Sequence, residues 1–384
     1  MSDHSGKTFD ALVLFSGGLD SILACKVLQE QGLRVLGLHY MSPFFGKPHL
    51  VDHWRHTYGI DVELVDVRRQ YLEMLTAPVN GYGKHLNPCV DCKILMLAHA
   101  RGLLPAYGAK FLATGEVLGQ RPMSQRADAL NRIRKSAGVS DVLLRPLSAG
   151  KLDPTEMETS GLVDRSRLPA IWGRGRRGQL ELAAHFGITD IPTPAGGCRL
   201  AEAEPANRYL PILTHLADPG PKEFDLSHLG RQYWAGPYWL SIGRKEADNA
   251  ALEAAAGPED LLLRLRDFPG PMALGRQYVP AEGTCSGTAP QAWPEQVLLD
   301  AAAFVASYSP KARAEAEAGR PVGVIIRSAN GTWTEREITP ARTTPLGWRE
   351  PKAEDLTAWK KHQHAKMEQE LRLRQKLWRE RERD

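Results

Sequence analysis

The sequence predicts an α/β protein: a parallel sheet with helices on both faces, followed by a smaller α+β domain. Three observations carry this. Between residues 11 and 150, short apolar runs alternate with amphipathic stretches, and strands that alternate with helices build parallel sheets. Several of the apolar runs are rich in Val and Leu and too short for buried helices. After about residue 200 the pattern changes to short strand-like runs mixed with Ala-rich helical stretches.

Taken in order, strands are expected over 11–15, 34–40, 61–67, 110–114 and 142–147, and helices over 20–31, 48–58, 68–75, 88–107 and 123–137. Residues 148–200 read as irregular, with frequent Pro and Gly and a basic cluster at Arg174, Arg176 and Arg177. Further on, 238–242 and 322–327 read as strands and 246–256 as a helix, while Gly and Pro over 256–293 predict loops. From 351 to 384 the chain carries ten Lys or Arg and seven Asp or Glu, sparsely interrupted by Trp359, Leu371 and Trp378. That is a solvated helical tail with charged i,i+4 partners. The expected organisation is therefore a nucleotide-type domain over 1–205, a compact α+β domain over 225–345 and the tail over 351–384.

Composition narrows the class. With 384 residues, 42% hydrophobic and 24% charged, the chain is an ordinary globular one and not collagen-like, mucin-like or wholly disordered. No run approaches the roughly 20 apolar residues that span a bilayer, and the polar first ten residues lack a signal-peptide core. Five cysteines are too few for a disulfide framework, so a reducing cytoplasm is the expected compartment. A net charge of +4 says little as a total, but residues 121–177 hold twelve basic and six acidic side chains.

The strongest local signal is Ser16-Gly17-Gly18-Leu19-Asp20-Ser21, between an apolar strand and a helix. Paired glycines let the backbone bend tightly and bring N–H groups to a ligand, and the helix N-terminus favours phosphate. Ser16 and Ser21 can add hydroxyl donors, and Asp20 can hold Mg²⁺ on the phosphates. The terminal Lys-Ser/Thr pair of a Walker loop and the three spaced glycines of a dinucleotide fingerprint are both missing. A plain strand-to-helix turn capped by Asp20 is the alternative reading. The motif resembles the SGGxDS loop of the PP-loop ATP pyrophosphatases (adenine nucleotide α-hydrolase-like), which adenylate a substrate oxygen and release pyrophosphate. The resemblance implies ATP on residues 16–21 and, at the end of the second strand, adenine near His39, Tyr40 and Met41.

A second motif, Thr114-Gly115-Glu116-Val117-Leu118-Gly119-Gln120, ends the fourth expected strand, and Ser124, Gln125 and Asn131 follow. Loops at the carboxyl ends of parallel strands can face one cleft. This spelling resembles the tRNA 4-thiouridine synthetase family, which implies that Gly115, Glu116, Gln120, Ser124 and Gln125 help place ATP and the target nucleotide.

Asn87-Pro88-Cys89-Val90-Asp91-Cys92-Lys93 opens an amphipathic helix, with Asn87 suited to the N-cap and Pro88 to the first helical position. Cys89 then lies where the helix dipole favours a thiolate. Cys198 follows the small-residue stretch 194–197, while Cys25 and Cys285 read as bystanders. Cys89, Cys92 and Cys198 admit several readings: a zinc site, inert thiols, a persulfide-carrying redox pair, or three ligands of a 4Fe–4S cluster. The spacing resembles that of PP-loop tRNA thiolases carrying such a cluster, and also the NPCxxC segment of the tRNA 2-thiouridylases, whose two distant cysteines serve as nucleophile and persulfide carrier. The cluster is the preferred reading here.

The RNA-binding domain that 4-thiouridine synthetases carry ahead of the loop is expected to be absent, because the loop begins at residue 16. Phosphate contacts are therefore expected from Arg126, Arg132, Arg134, Lys135, Arg174, Arg176 and Arg177. In the second domain, residues 241–249 and 267–271, with Ala306-Ser307-Tyr308-Ser309 downstream, resemble the NFACT RNA-binding domain and add Arg244, although Lys245 stands where an Asn is common. The expected function is ATP-dependent thiolation of a tRNA uridine, 4-thiouridine rather than 2-thiouridine, with sulfur from a cysteine desulfurase or sulfide and no membrane partner. Two alternatives stand beside it: a PP-loop ligase acting on a non-tRNA substrate, and a non-enzymatic RNA- or ribosome-binding factor with a vestigial nucleotide site.

Overall fold

The computed structural model describes residues 6–122, 124–192, 197–278, 293–328 and 331–381. It divides into two compact units, Met1–Ala201 and Glu202–Asp384. Among the described residues no helix is long and apolar enough to cross a membrane.

The first unit runs β1 (Ala11–Leu14), α1 (Leu19–Glu30), β2 (Val35–Met41), α2 (Val51–Tyr58), β3 (Asp61–Asp66), α3 (Arg68–Thr76), α4 (Cys89–Leu103), β4 (Phe111–Thr114), α5 (Ala127–Ser136), β5 (Leu143–Leu144), α6 (Glu156–Thr159) and α7 (Arg177–His185). Its sheet has the order β3-β2-β1-β4-β5, and each pairing is parallel. Ala11, Leu12 and Val13 of β1 are all fully buried, as a central strand covered on both faces demands. Ile22, Leu23 and Leu28 pack α1 into the core beside Trp54, each such side chain contributing about 1.5–3 kcal/mol.

Three expected bounds shift for local reasons. The fifth strand shrinks to two residues because Pro146, which has no N–H, starts a 3₁₀ turn over Pro146–Lys151. The fourth expected helix ends at Leu103, with Pro105 starting a separate 3₁₀ turn. The helix expected over 123–137 starts at Ala127, and Met123 lies outside the described residues. The stretch read as irregular contains α7, whose first residue is Arg177.

The second unit runs α8 (Ala203–His215), α9 (Pro221–Leu226), β6 (Arg231–Ala235), β7 (Tyr238–Ile242), α10 (Glu246–Ala255), β8 (Leu261–Leu265), β9 (Ala273–Gln277), α11 (Glu295–Ala306), α12 (Pro310–Glu317), β10 (Val322–Arg327), β11 (Trp333–Ile338) and α13 (Ala353–Arg381). Its six strands form an antiparallel sheet of order β11-β10-β8-β9-β7-β6. Leu263, Val324 and Ile326 meet Ala301, Phe304 and Trp348 in its core. Of the loops expected over 256–293, residues 279–292 lie outside the described residues, and the rest give way to β8 and β9: the run Leu261-Leu262-Leu263 is buried, with Gly257, Pro258, Pro269, Gly270 and Pro271 flanking the strand. Cys285 lies outside the described residues. The charged tail is helical, and it buries Leu356 while pairing Glu368 with His364 and Arg372 at i,i+4 spacing.

Candidate active site

In the first unit the strand order reverses between β1 and β4, and open parallel sheets bind ligands in the crevice beyond their carboxyl ends at such a reversal. Leu14 pairs with Thr114, so the two strands end level and the loops 15–18 and 115–120 leave the sheet together.

Gly17 has φ +73°, and a Cβ there would stand 2.2 Å from Cζ2 of Trp54, so only glycine fits. Ser16 Oγ accepts the Gly18 N–H at 3.3 Å, and Ser21 Oγ donates to the Gly18 carbonyl at 2.8 Å. Gly18, and not Asp20, occupies the cap position of α1, and no side chain caps the helix. Its end is therefore left for an anion. Leu19 is buried, so its share in such a site is limited to its backbone. Asp20 Oδ2 accepts from Gln120 Nε2 at 3.2 Å, while Asp20 Oδ1 is buried without a hydrogen-bond partner among the described residues. That orphaned carboxylate oxygen beside an anion site fits Mg²⁺.

The second loop is pressed onto the first. A Cβ on Gly115 would lie 2.4 Å from the Asp20 carbonyl oxygen and 2.6 Å from the Ser21 nitrogen. Next to it the buried Glu116 bonds Lys93 through Oε1 and Arg145 Nε through Oε2 at 3.0 Å, with Thr114 Oγ1 donating at 3.2 Å. Burial pushes its carboxyl up, but Lys93 and Arg145 prevail and hold it at about 2. Ser124 and Gln125 are buried, and the Gln125 backbone carbonyl accepts the Gly119 N–H at 2.7 Å.

Lys93 connects this centre to the cysteines. Pro88 takes the cap position of α4, and Cys89 is the first helical residue. Asn87 sits one place earlier than expected, and its Oδ1 accepts from Cys89 Sγ at 3.0 Å. Burial pushes the Cys92 thiol up to about 12, and its neighbours Cys198 and Cys89 push the same way against the Tyr71 hydroxyl and Lys93. The segment carrying Cys198 is held beside α4 by Arg199 N–H to Phe44 O at 3.0 Å and Leu86 N–H to Leu200 O at 3.1 Å. The three sulfurs thus share one neighbourhood with Tyr71. Among the described residues, however, no three His, Cys, Asp or Glu side chains form a group that could hold a metal ion. Cys25 is fully buried in α1, away from solvent.

His39, Tyr40 and Met41 lie at the end of β2, where the side chains of His39 and Tyr40 are hydrogen-bonded within the unit. His39 is buried, with Nδ1 2.9 Å from Phe15 O and Nε2 accepting the Lys47 N–H at 2.8 Å. Burial pushes its pKa down, which suits a neutral ring bonded at both nitrogens. Tyr40 donates to Met96 O at 3.0 Å, and the Met41 carbonyl accepts from Val67.

Of the basic residues, Arg126 stands at the N-cap position of α5 and pairs with Asp128, Arg132 and Lys135 are exposed on α5, and Arg134 is half-buried. The loop with Arg174 and Arg176 is fastened to the second motif by Gly173 N–H to Leu118 O at 2.7 Å. Arg177 pairs with Glu181 along α7. Arg244 belongs to the second unit, where its N–H bonds Asp248.

Sequence reasoning missed Lys93, Arg145 and Trp54 as members of this centre. Lys93 adjoins Cys92 in sequence, which was a usable signal; the others reach the site only through tertiary contacts.

The chain matches the family model described as Thiamine biosynthesis protein (ThiI) over residues 6–153. It is 33% identical over 360 residues to the tRNA-specific 2-thiouridylase MnmA of Nitratidesulfovibrio vulgaris (strain Miyazaki F), a match covering 86% of this chain and 92% of that protein. It is also 30% identical over 113 residues to the probable tRNA sulfurtransferase of Thermococcus kodakarensis, covering 28% of this chain and spanning only 30% of that relative's length. A solved structure of a predicted subunit of tRNA methyltransferase from Methanocaldococcus jannaschii aligns with TM-score 0.31 and 15% identity, over 46% of this chain and 75% of that one.

Proposed function

The chain belongs to the PP-loop tRNA thiolation enzymes, the family of the 2-thiouridylase it matches along most of its length, and on that premise we propose that it adenylates a uridine carbonyl oxygen in tRNA and replaces that oxygen with sulfur. One observation carries the reading. Gly115 against the Asp20 backbone, Gln120 on Asp20 and Lys93 on Glu116 lock the nucleotide loop, the second motif and the cysteine helix into one centre.

The chemistry follows from the parts. Backbone N–H groups at Gly17 and the start of α1 receive the ATP phosphates. Asp20 would hold Mg²⁺, which when bound neutralises charge on the phosphates. The uridine oxygen attacks the α-phosphorus and pyrophosphate leaves, turning a poor leaving group into AMP. The terminal sulfur of a persulfide on Cys198 then attacks the ring carbon, and AMP departs with the C–O electron pair. Cys89, at the helix start, attacks the Cys198 sulfur; the S–S bond breaks towards the nucleoside, leaving a thiocarbonyl and a Cys89–Cys198 disulfide. An external dithiol reduces the disulfide and a cysteine desulfurase persulfide passes its outer sulfur to the Cys198 thiol, or sulfide attacks the disulfide itself at Cys198, forming the persulfide and releasing the Cys89 thiol. Burial raises the Cys92 thiol to about 12, so at neutral pH it is a poor thiolate.

The loop spelling 114–120 supports 4-thiouridine as product, whereas the long match to a tRNA-specific 2-thiouridylase favours 2-thiouridine. The second unit is proposed to hold RNA, a role supported by the motif spelling at 241–249 and 267–271.

The test is tRNA-dependent pyrophosphate release, followed by mass analysis of the nucleosides, which identifies the thiolated position. Thiolation that survives replacement of Cys89, Cys92 and Cys198 one at a time would sink the sulfur route. Stoichiometric iron with visible absorption in anaerobically purified protein would replace the persulfide by a cluster on the same thiols.

A further inference from the structure

Trp172 is 67% exposed, an unusual position for the largest apolar side chain so close to a buried catalytic centre. It stands between Ile171 and Gly173 in a loop whose base is rigidly attached. Leu118 and Trp172 form a parallel bridge, and Gly173 N–H bonds Leu118 O at 2.7 Å. Ser148 Oγ accepts the Leu118 N–H at 2.9 Å and donates to Ile171 O at 2.7 Å, tying the two segments through one hydroxyl. Leu118 lies two residues from Gln120, which bonds Asp20. The backbone under Trp172 is thus fixed against the nucleotide site, while its ring faces solvent. Arg174 is exposed two residues on, Arg176 is half-buried, and Gly173 (φ +84°) turns the chain between the ring and these cations.

An exposed ring beside guanidinium groups is the combination that binds single-stranded nucleic acid: the cations meet phosphates and the ring stacks on a base. We infer that Trp172 is a base-stacking platform that holds an unpaired nucleotide of the tRNA next to the target uridine, with Arg174 and Arg176 on the adjoining phosphates. This rests on the tRNA reading above. Stacking needs an aromatic face but no particular base, so Trp172 positions the RNA without choosing its sequence.

The experiment measures binding of an unmodified tRNA transcript to the full chain, and KM for tRNA and for ATP in pyrophosphate release. Trp172→Ala should weaken tRNA binding and raise KM for tRNA about tenfold. Its KM for ATP and the salt dependence of binding should stay as in the wild type, because no phosphate contact is lost. Trp172→Phe should restore most of the affinity, and Trp172→Leu should not. Arg174→Ala, by contrast, should lower the salt slope by about one. Unchanged tRNA binding by Trp172→Ala, equal rescue by Leu and Phe, or a matching rise in KM for ATP would each overturn the platform. Wild-type protein that fails to bind tRNA would overturn the tRNA reading itself, and the platform with it.

Discussion

The two units use their motif residues in opposite ways. In the first, the motifs leave groups open: α1 has no side-chain cap, and one oxygen of Asp20 is buried without a partner among the described residues. In the second, the motifs satisfy one another. Asn249 Oδ1 accepts the Met272 N–H at 3.0 Å, and a Cβ on Gly243 would lie 2.1 Å from that same oxygen. Ser309 Oγ donates to Pro269 O at 3.2 Å, and a Cβ on Gly270 would lie 2.5 Å from Leu265. Both units carry recognisable spelling, but the first spells a site and the second spells a latch between α10, β9 and α12. A motif marks a constrained place; only the open valences say whether the constraint serves a ligand or the fold.

The largest effect expected from that contrast is at Asp20. Asp20→Ala should cut tRNA-dependent pyrophosphate release by about 10²–10³-fold, the scale of losing one charge-stabilising group in a preorganised site. Stability should hardly change, because the described contact of its carboxylate is with Gln120. A large drop in melting temperature with modest loss of activity would place Asp20 with the latch residues instead.

Glu116 breaks the simple division, since it is fully engaged and yet sits in the open unit. Its folded pKa of about 2 lies below the ordinary glutamate value, so the unfolded chain binds the proton more readily. The resulting stability, about 3 kcal/mol, is complete above roughly pH 4.5 and is lost as pH falls towards 2. Glu116→Gln should therefore destabilise the first unit by about 2–4 kcal/mol at neutral pH, because Lys93 and Arg145 would face each other without the carboxylate. Denaturant titrations at pH 7 and pH 3 check this: the gap between wild type and variant should narrow at the lower pH. An equal gap at both would show that the carboxylate charge contributes nothing.

What the sequence made legible follows the same line. The loop 16–21 could be read because its glycines, hydroxyls and carboxylate are contiguous, and the strand before it and helix after it were visible in the apolar pattern. Gly115 was legible by spelling, though its reason, the Asp20 backbone against its Cα, is purely tertiary. Arg145 was not legible: it reaches Glu116 across 29 residues. His39 falls where a nucleotide contact is expected; both its ring nitrogens bond the backbone, which leaves only its main chain for such a contact, and nothing in a single sequence distinguishes a structural His ring from a binding one. β8 and β9 were lost because Gly and Pro counts outweighed a three-leucine run, although turn residues flank strands as readily as they fill loops.

Within the second unit, Asn249→Ala should cost about 1–2 kcal/mol of stability, the penalty of leaving the Met272 N–H without its acceptor. Binding of tRNA, measured well below the melting temperature, should remain as in the wild type. Loss of binding without loss of stability would move Asn249 from the latch to an RNA surface.

The smallest effect, and the sharpest test of the contrast, is at Arg244. Its backbone N–H is tied to Asp248 at 3.0 Å, but its side chain is about half exposed and only 3.9 Å from Glu204, a loose surface pair that contributes little to stability. Arg244→Ala should thus leave the melting temperature within about 1 °C, as is usual for surface substitutions. If the second unit holds RNA, the same change should weaken tRNA binding a few-fold, equally for different tRNAs, and lower the salt slope by about one, the signature of a lost phosphate contact. The pairing of outcomes is what matters. Asn249→Ala should move stability and not binding, and Arg244→Ala should move binding and not stability. If Arg244→Ala leaves the salt slope untouched, the second unit has a motif but no RNA contact at that residue, and the basic side chains beside the catalytic centre must supply the phosphate attraction.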